Sequence, residues 1–238
     1  MVNITFVIGA NATGKSYFIS QNYEKKDVVL LNVYDYQQRE YDVAGYEDSI
    51  PFDAQYDCLR KANAALLNDV IEYAKQGRDV VIEQTFFKAK RRIVYIEEIR
   101  KNVEATIDVY VMSPDDRLLE SNLEKRDMLR SMRRIKRDIE EQLEFPNPAE
   151  GFDHIYKIVG SECTLVMKES DPTIVDTAHK ELAEEEAYIK EKELEKQERK
   201  KLLDSMKTRK FWHYCEVCGK KEFITAKEAH NLGWIFHH

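Results

Sequence analysis

Eight consecutive residues near the start of the chain have the types and spacing of a phosphate-binding loop. They read Gly-Ala-Asn-Ala-Thr-Gly-Lys-Ser and match the pattern G-x-x-x-x-G-K-[ST] at every position. In this pattern backbone N–H groups surround the phosphates, the lysine reaches the β- and γ-phosphates, and the last hydroxyl binds magnesium. A glycine-rich turn that merely precedes a helix is the alternative. We predict that ATP and Mg²⁺ bind at Gly9, Ala10, Asn11, Ala12, Thr13, Gly14, Lys15 and Ser16, with Lys15 catalytic and Ser16 the magnesium ligand.

The absence of two motifs argues against two classes of phosphate-loop protein, the GTPases and the transporter ATPases. The chain has neither the Asn-Lys-x-Asp motif with which GTPases read the base nor the Leu-Ser-Gly-Gly-Gln signature of transporter ATPases. Its loop stands at the start of a compact domain, as in small kinases. A kinase is therefore favoured, and it needs an acceptor hydroxyl, a base and cations over the transferred phosphoryl group.

The candidate base is Asp35. It follows the strand-like run over residues 28–33, in the stretch Val33-Tyr34-Asp35-Tyr36. Ligands of open α/β sheets bind beyond the carboxyl ends of the strands, where this carboxylate is expected to lie. The alternative is an aspartate that only caps a helix or closes a turn.

Four arginines provide candidate cations. Arg126, Arg130, Arg133 and Arg137 are spaced by four, three and four residues, which predicts one face of a single helix. Like charges on one stripe repel each other unless an anion lies against them, and arginine suits phosphate. We expect a lid over the triphosphate in which Arg126 and Arg130 act on the transferred group. A solvated helix face is the alternative.

A separate pattern lies near the end of the chain. Cys215 and Cys218 form a Cys-x-x-Cys pair, followed by His230, His237 and His238. Two thiolates at this spacing are half of a tetrahedral zinc site, and histidines could complete it. A turn without metal and a redox-active dithiol are the alternatives, so zinc is one of three interpretations.

The elements that position these residues alternate along the chain. Strand-like runs are predicted at residues 2–8, 28–33, 80–82, 107–112 and 155–159, and helices from Lys15, over 53–76, over 89–102 and from residues 113–116. This alternation predicts the α/β class, with a parallel five-stranded sheet covered by helices.

Composition divides the chain into three predicted segments. Residues 1–170 form the kinase domain, 171–210 a charged helical spacer and 211–238 a small zinc-ribbon-like Cys/His module. Residues 180–201 contain eight Glu and seven Lys or Arg, which is typical of a solvated helix. A protein partner or self-association through residues 175–210 is the alternative use of that helix.

Charge and hydropathy exclude some classes. The net charge of −7 excludes a general nucleic-acid-binding character, although lysines and arginines at residues 88–92 could form a local phosphate track with the lid. No run of about 20 apolar residues is present, and no signal peptide is recognisable. Four cysteines fit a reducing compartment, so a cytoplasmic location without membrane contact is expected.

Taken together, these motifs resemble those of the polynucleotide 5′-hydroxyl kinases and the related zeta-toxin-like ATP-binding kinases over residues 1–160. The similar segments are residues 32–36, residues 82–92 with Thr85 and the Arg91-Arg92 pair, residues 122–126, and Phe145-Pro146 followed by Glu150-Gly151-Phe152-Asp153. The loop departs from the usual Gly-x-Pro-Gly-Ser-Gly-Lys-Ser, and Asn122 stands where a second lid arginine is common.

The resemblance implies a strand order of 2-3-1-4-5, an acceptor-activating Asp35 and a γ-phosphate contact from Arg126. It also implies phosphoryl transfer to a hydroxyl acceptor, with a polynucleotide 5′ end as the first expectation. A nucleotide sugar or another small metabolite is the alternative acceptor. A third hypothesis is a nucleotide-gated binding protein without catalysis.

Overall fold

The secondary structure alternates between strands and helices up to residue 165. We describe a computed structural model that covers residues 1–24, 27–46, 50–214, 219–225 and 227–228. In chain order the elements are β1 (Val2–Ile8), α1 (Lys15–Tyr23), β2 (Val28–Asn32), α2 (Val33–Ala44), α3 (Phe52–Lys75), β3 (Asp79–Gln84), α4 (Ala89–Asn102), β4 (Ala105–Met112), α5 (Asp116–Glu124), a 3₁₀ turn (Leu129–Ser131), α6 (Met132–Gln142), a second 3₁₀ turn (Pro148–Glu150), β5 (His154–Val159), β6 (Glu162–Leu165), α7 (Thr173–Thr208), β7 (Lys210–Tyr214) and β8 (Lys221–Thr225).

The central sheet has the order β2-β3-β1-β4-β5-β6. Its first five strands are parallel neighbours in the order 2-3-1-4-5, as the resemblance implied. The prediction of five strands was wrong, because β6 pairs with β5 in the antiparallel direction. Every residue of this short edge strand is exposed, so it carries no apolar run from which it could be recognised.

The core lies on the face of the sheet that α3 and α4 cover. Ile4, Phe6 and Ile8 of β1 alternate toward this face and are fully buried. Phe6 packs against Phe86 and Phe152, with ring centroids 5.3 and 5.5 Å apart. The central strand is therefore anchored by apolar packing immediately before the phosphate loop, and the loop starts from a fixed point.

The chain divides into two compact units, residues 1–181 and 182–238. The first contains the six-stranded sheet, its helices and the first turns of α7. There Ile174 and Val175 pack against Ala89 and Ile93 of α4. The second contains the rest of α7 and the antiparallel hairpin of β7 and β8. No helix in the described part of the chain is both long and apolar enough to cross a membrane.

Candidate functional site

The phosphate loop joins β1 to α1 through backbone conformations that favour glycine. Gly9 has φ 146° and Gly14 has φ 94°. A Cβ at Gly9 would lie 3.0 Å from Thr13 Oγ1 and 3.1 Å from the carbonyl oxygen of Met112. A side chain at Gly9 is therefore excluded both by φ and by the close approach of β4.

Lys15 begins α1 and turns its side chain back over the loop. Its Nζ donates to the carbonyl oxygens of Gly9, at 2.9 Å, and Ala10, at 2.8 Å. Burial lowers the pKa of Lys15 from 10.5 to about 8; the Glu83 carboxylate opposes this shift, and the charge of Arg126 adds to it. This buried ammonium is bound only by neutral carbonyl oxygens, so an anionic phosphate would be a better partner for it.

Glu83 is a site residue that the sequence analysis missed. Ser16 Oγ donates to Glu83 Oε1 at 2.8 Å, and Asn32 Nδ2 donates to Glu83 Oε2 at 3.3 Å. The strand register brings these side chains together, because Glu83 of β3 lies beside Val7 of β1 and Asn32 of β2. A hydroxyl and a carboxylate are hard oxygen donors of the kind that Mg²⁺ prefers, so this pair fits the ion. The sequence did contain a feature that could have identified Glu83, namely an acidic residue directly after the apolar run of residues 80–82.

Asp35 lies in the first turn of α2, not at the end of a strand. The strand ends at Asn32, whose side chain caps α2 by accepting from the backbone N–H of Tyr34 at 2.9 Å. The predicted strand over residues 28–33 was therefore one residue too long, and α2 itself was not predicted. Asp35 nevertheless lines a cavity of about 220 Å³ together with Ser16 and Glu83.

Two contacts fix α2 beside the loop. Tyr34 OH donates to Asn11 Oδ1 at 3.0 Å, which joins the residue next to Asp35 directly to the phosphate loop. Tyr36 OH donates to Asp69 Oδ2 of α3 at 2.6 Å. The hydrogen bonds of Tyr34 and Tyr36, the residues before and after Asp35, thus fix the position of Asp35.

The four lid arginines do not share one helix. Arg126 lies in the turn after α5, Arg130 in the 3₁₀ turn, and Arg133 and Arg137 in α6. The predicted single stripe was wrong, because the helix stops at Glu124 and Asp127 adopts a left-handed backbone conformation with φ 53°. All four arginines are exposed.

The lid is nevertheless attached to the loop. Asn122 Nδ2 donates to the carbonyl oxygen of Ala12 at 2.9 Å, a contact the sequence analysis did not foresee. Arg126 lies close enough to Lys15 for its charge to help lower the pKa of the lysine. Two cations close enough to repel each other beside the loop would both be stabilised by an anionic ligand.

The predicted phosphate track at residues 88–92 was wrong for Arg92, and its two lysines have acidic partners. Lys88 Nζ lies 2.9 Å from Glu144 Oε1, and Lys90 Nζ lies 3.3 Å from Glu181 Oε2. Arg92 is fully buried against Glu150 and also donates to the carbonyl oxygen of Phe86 at 2.7 Å. Arg92 therefore holds the segment that follows β3 and is not available to an incoming phosphate.

The predicted zinc ligands lie outside the described residues, namely Cys215, Cys218, His230, His237 and His238. Among the residues that are described, no group of three or more His, Cys, Asp or Glu side chains could hold a metal ion. The zinc module stays a prediction.

Several solved structures are similar to the chain at low identity. They include the PezAT chromosomal toxin–antitoxin system of Streptococcus pneumoniae, at 11% identity and TM-score 0.49, covering 77% of this chain and 86% of that one. A sugar kinase from Janibacter sp. has 15% identity and TM-score 0.43, with 67% and 84% covered. The Pnkp1/Rnl/Hen1 RNA repair complex has 16% identity and TM-score 0.42, with 60% and 47% covered. These likenesses carry no argument about activity, and no curated protein sequence matches the chain.

Family membership follows from the sequence between β1 and the end of α6. A family model described as an AAA domain matches residues 4–144. That span contains the phosphate loop, Asp35, Glu83 and the lid, and it covers more than half of the 238 residues. The chain therefore belongs to this family of AAA domains.

Proposed function

We propose that the protein transfers the γ-phosphoryl group of ATP to a hydroxyl acceptor. The observation that carries this proposal is the meeting of Ser16, Glu83 and Asp35 around one cavity beside the phosphate loop. Asp35 provides a carboxylate in the lining of a space of about 220 Å³, where a general base for an acceptor hydroxyl would have to lie. Phosphoryl transfer needs both the loop and such a carboxylate.

The phosphates would be held by the loop backbone and by Lys15. The ammonium would exchange its bonds to Gly9 and Ala10 for bonds to phosphate oxygens, which is favourable because charged partners bind more strongly than neutral ones. Ser16 and Glu83 would hold Mg²⁺. When bound, that ion neutralises charge on the phosphates and orients them.

Asp35 would accept the proton of the acceptor hydroxyl, since it lines the same cavity as Ser16. Arg126, whose charge acts on Lys15, would stabilise charge on the transferred group, and the exposed Arg130 would reach the site by movement of the lid. The protein would thus supply cations both from the phosphate loop and from the segment after α5.

The first acceptor we propose is a polynucleotide 5′-hydroxyl, on the strength of the motifs quoted above and the exposed arginines of the lid. The cavity favours a second candidate, a small uncharged hydroxyl compound. Three of its lining residues are acids, Glu24, Asp35 and Glu83, and none of the described lining residues is Lys or Arg. Such a lining attracts hydroxyl groups but repels phosphates.

The test is transfer from γ-labelled ATP with magnesium to a 5′-hydroxyl oligonucleotide and, in parallel, to a panel of sugars and polyols. Lys15→Ala serves as the blank. Label on either acceptor with the intact protein alone supports phosphotransfer and identifies the acceptor class. ATP binding without labelling of any acceptor would overturn the proposal and favour a nucleotide-gated binding protein.

A further inference from the structure

The hairpin of β7 and β8 exposes a pair of aromatic rings. Trp212 and Phe223 are directly opposite each other on the two strands, with ring centroids 5.5 Å apart and planes inclined by 47°. The side chain of Trp212 is 73% exposed and that of Phe223 is 52% exposed. Cross-strand pairing explains why the rings touch, but it does not explain why two large apolar side chains face solvent.

Two lysines share the face of this aromatic pair. Side chains alternate along a strand, so Lys210 lies on the same face as Trp212, and Lys221 on the same face as Phe223. Each lysine is two residues from its ring, about 7 Å along the strand. Because the strands are antiparallel, the lysines stand at opposite ends of the aromatic pair, and both are exposed.

The segment that contains the hairpin has a different charge composition from the chain as a whole. Residues 207–228 contain six Lys or Arg and three Glu, whereas the whole chain has a net charge of −7. One of those acids, Glu228, accepts from the backbone N–H and hydroxyl of Thr225, and its carboxylate also interacts electrostatically with Lys210. A second acid, Glu222, forms an ion pair with Lys220. The region around the hairpin is therefore basic in composition within an acidic protein.

Rings and cations together indicate the ligand. An uncharged apolar partner would not use the lysines. An anionic lipid surface also binds aromatic and lysine side chains, and binding of anionic vesicles in preference to the oligonucleotide would contradict the proposal made below. Single-stranded nucleic acid uses both features, because its bases stack on aromatic rings and its phosphates bind cations. A duplex keeps its bases stacked internally and would leave the rings unused.

We propose that the face formed by Lys210, Trp212, Lys221 and Phe223 binds single-stranded nucleic acid by base stacking and phosphate contacts. The site is independent of the phosphate loop, so it does not require that the proposed phosphotransfer be correct.

The experiment measures fluorescence anisotropy of a labelled twelve-nucleotide oligo(dT) titrated with the full chain at low salt. We expect saturable binding, and we expect Trp212→Ala combined with Phe223→Ala to weaken it at least about tenfold, as expected for loss of stacked bases. Trp212→Phe keeps a stacking ring and is expected to retain most of the affinity. Tyr188→Ala, which removes another exposed aromatic side chain, should leave binding unchanged.

Salt dependence tests the lysines separately. Lys210→Gln with Lys221→Gln is expected to reduce the slope of log affinity against log salt by about 1.4, which is roughly 0.7 for each phosphate of a single strand that no longer binds a lysine. This pair of substitutions leaves the rings in place. An unchanged slope would contradict the assignment of these lysines.

Three results with nucleic acid would overturn the proposal. They are no binding by the parent protein, equal binding by the Trp212→Ala and Phe223→Ala variant, and tighter binding of a duplex of the same length. Lys15→Ala should leave oligonucleotide affinity unchanged, whether or not the parent protein transfers phosphate. Failure of the hairpin site and failure of the proposed activity are therefore distinguishable.

Discussion

Arg92 and Glu150 form a bidentate ion pair in the interior of the first unit. Arg92 Nε lies 2.7 Å from Glu150 Oε2, and Nη2 lies 2.8 Å from Oε1. The two side chains are 0% and 1% exposed. The same guanidinium donates to the carbonyl oxygens of Phe86 and Phe87, which follow β3. The pair thus ties α4 to the segment that leads away from Glu83.

Glu150→Gln is expected to destabilise the protein by about 3–5 kcal/mol, because it leaves a buried guanidinium without a counter-charge. Urea denaturation of the full chain measures the change. The control is Glu72→Gln, which breaks the exposed pair with Lys75 and should change stability by less than about 1 kcal/mol. Equal effects of the two substitutions would show that the buried pair has no special role.

Glu83→Gln is expected to raise the magnesium concentration needed for half-maximal activity by about tenfold or more, since the ion loses a charged ligand. Glutamine can still accept the hydrogen bond from Ser16 at the same place. ATP affinity in the absence of magnesium should change little. Glu24→Gln, at another part of the cavity lining, is the matched control and should leave the magnesium requirement unaltered.

The sequence predicted those parts of the site that depend on local patterns. The phosphate loop, the strands beside it and the position of Asp35 near the sheet edge follow from short-range spacing. Partners from distant parts of the chain could not be predicted in this way. Ser16 and Glu83 are 67 residues apart, and Asn122 binds the loop from 110 residues away. Such pairs have no period in the sequence and form only when distant elements of the chain come together.

The arginine stripe shows how a correct spacing can give a wrong structure. Spacings of four and three residues are necessary for one helix face, but they do not require the helix to continue. Here α5 ends at Glu124, and Asp127 adopts a left-handed conformation without a glycine or proline to signal it. Arg92 is a second example: it belongs to a basic segment that was expected to be exposed, but its side chain is buried and paired with Glu150.

ATP affinity is expected to fall as the pH rises through about 8, the pKa to which burial lowers Lys15. Above this pH the free protein loses the ammonium proton, whereas bound phosphate favours the protonated form, so binding must take up a proton. The dissociation constant should rise roughly tenfold between pH 7 and pH 9. Calorimetry in buffers of different ionisation enthalpy measures the uptake directly. A constant affinity over this range would contradict the role of Lys15.

Tyr34→Phe tests the contact between α2 and the phosphate loop. The substitution keeps the ring but removes the hydrogen bond to Asn11, which is worth about 0.5–1.5 kcal/mol, so kcat/KM should fall roughly two- to tenfold. Tyr17→Phe changes an exposed tyrosine one residue after Ser16 and is expected to have no effect. If both substitutions behaved alike, the contact would have no part in positioning Asp35.

Asp35→Asn is expected to lower kcat by about 10²–10⁴, the usual contribution of a general base, while ATP affinity stays close to that of the parent. Asparagine keeps the size of the side chain and is tolerated in the first turn of a helix, so the fold should be retained. Steady-state kinetics with the acceptor that the labelling experiment identifies, together with ATP titration, separates the two effects.

Asp42→Asn is the matched control for this substitution, because Asp42 lies on the same helix and binds Gln38 on its exposed side. It should leave kcat unchanged. If Asp35→Asn retained more than about a tenth of the parent kcat, the acceptor would not need this carboxylate as a base. Glu83 would then be the next candidate, since it is the other carboxylate beside Ser16, and its substitution would have to lower kcat even at saturating magnesium.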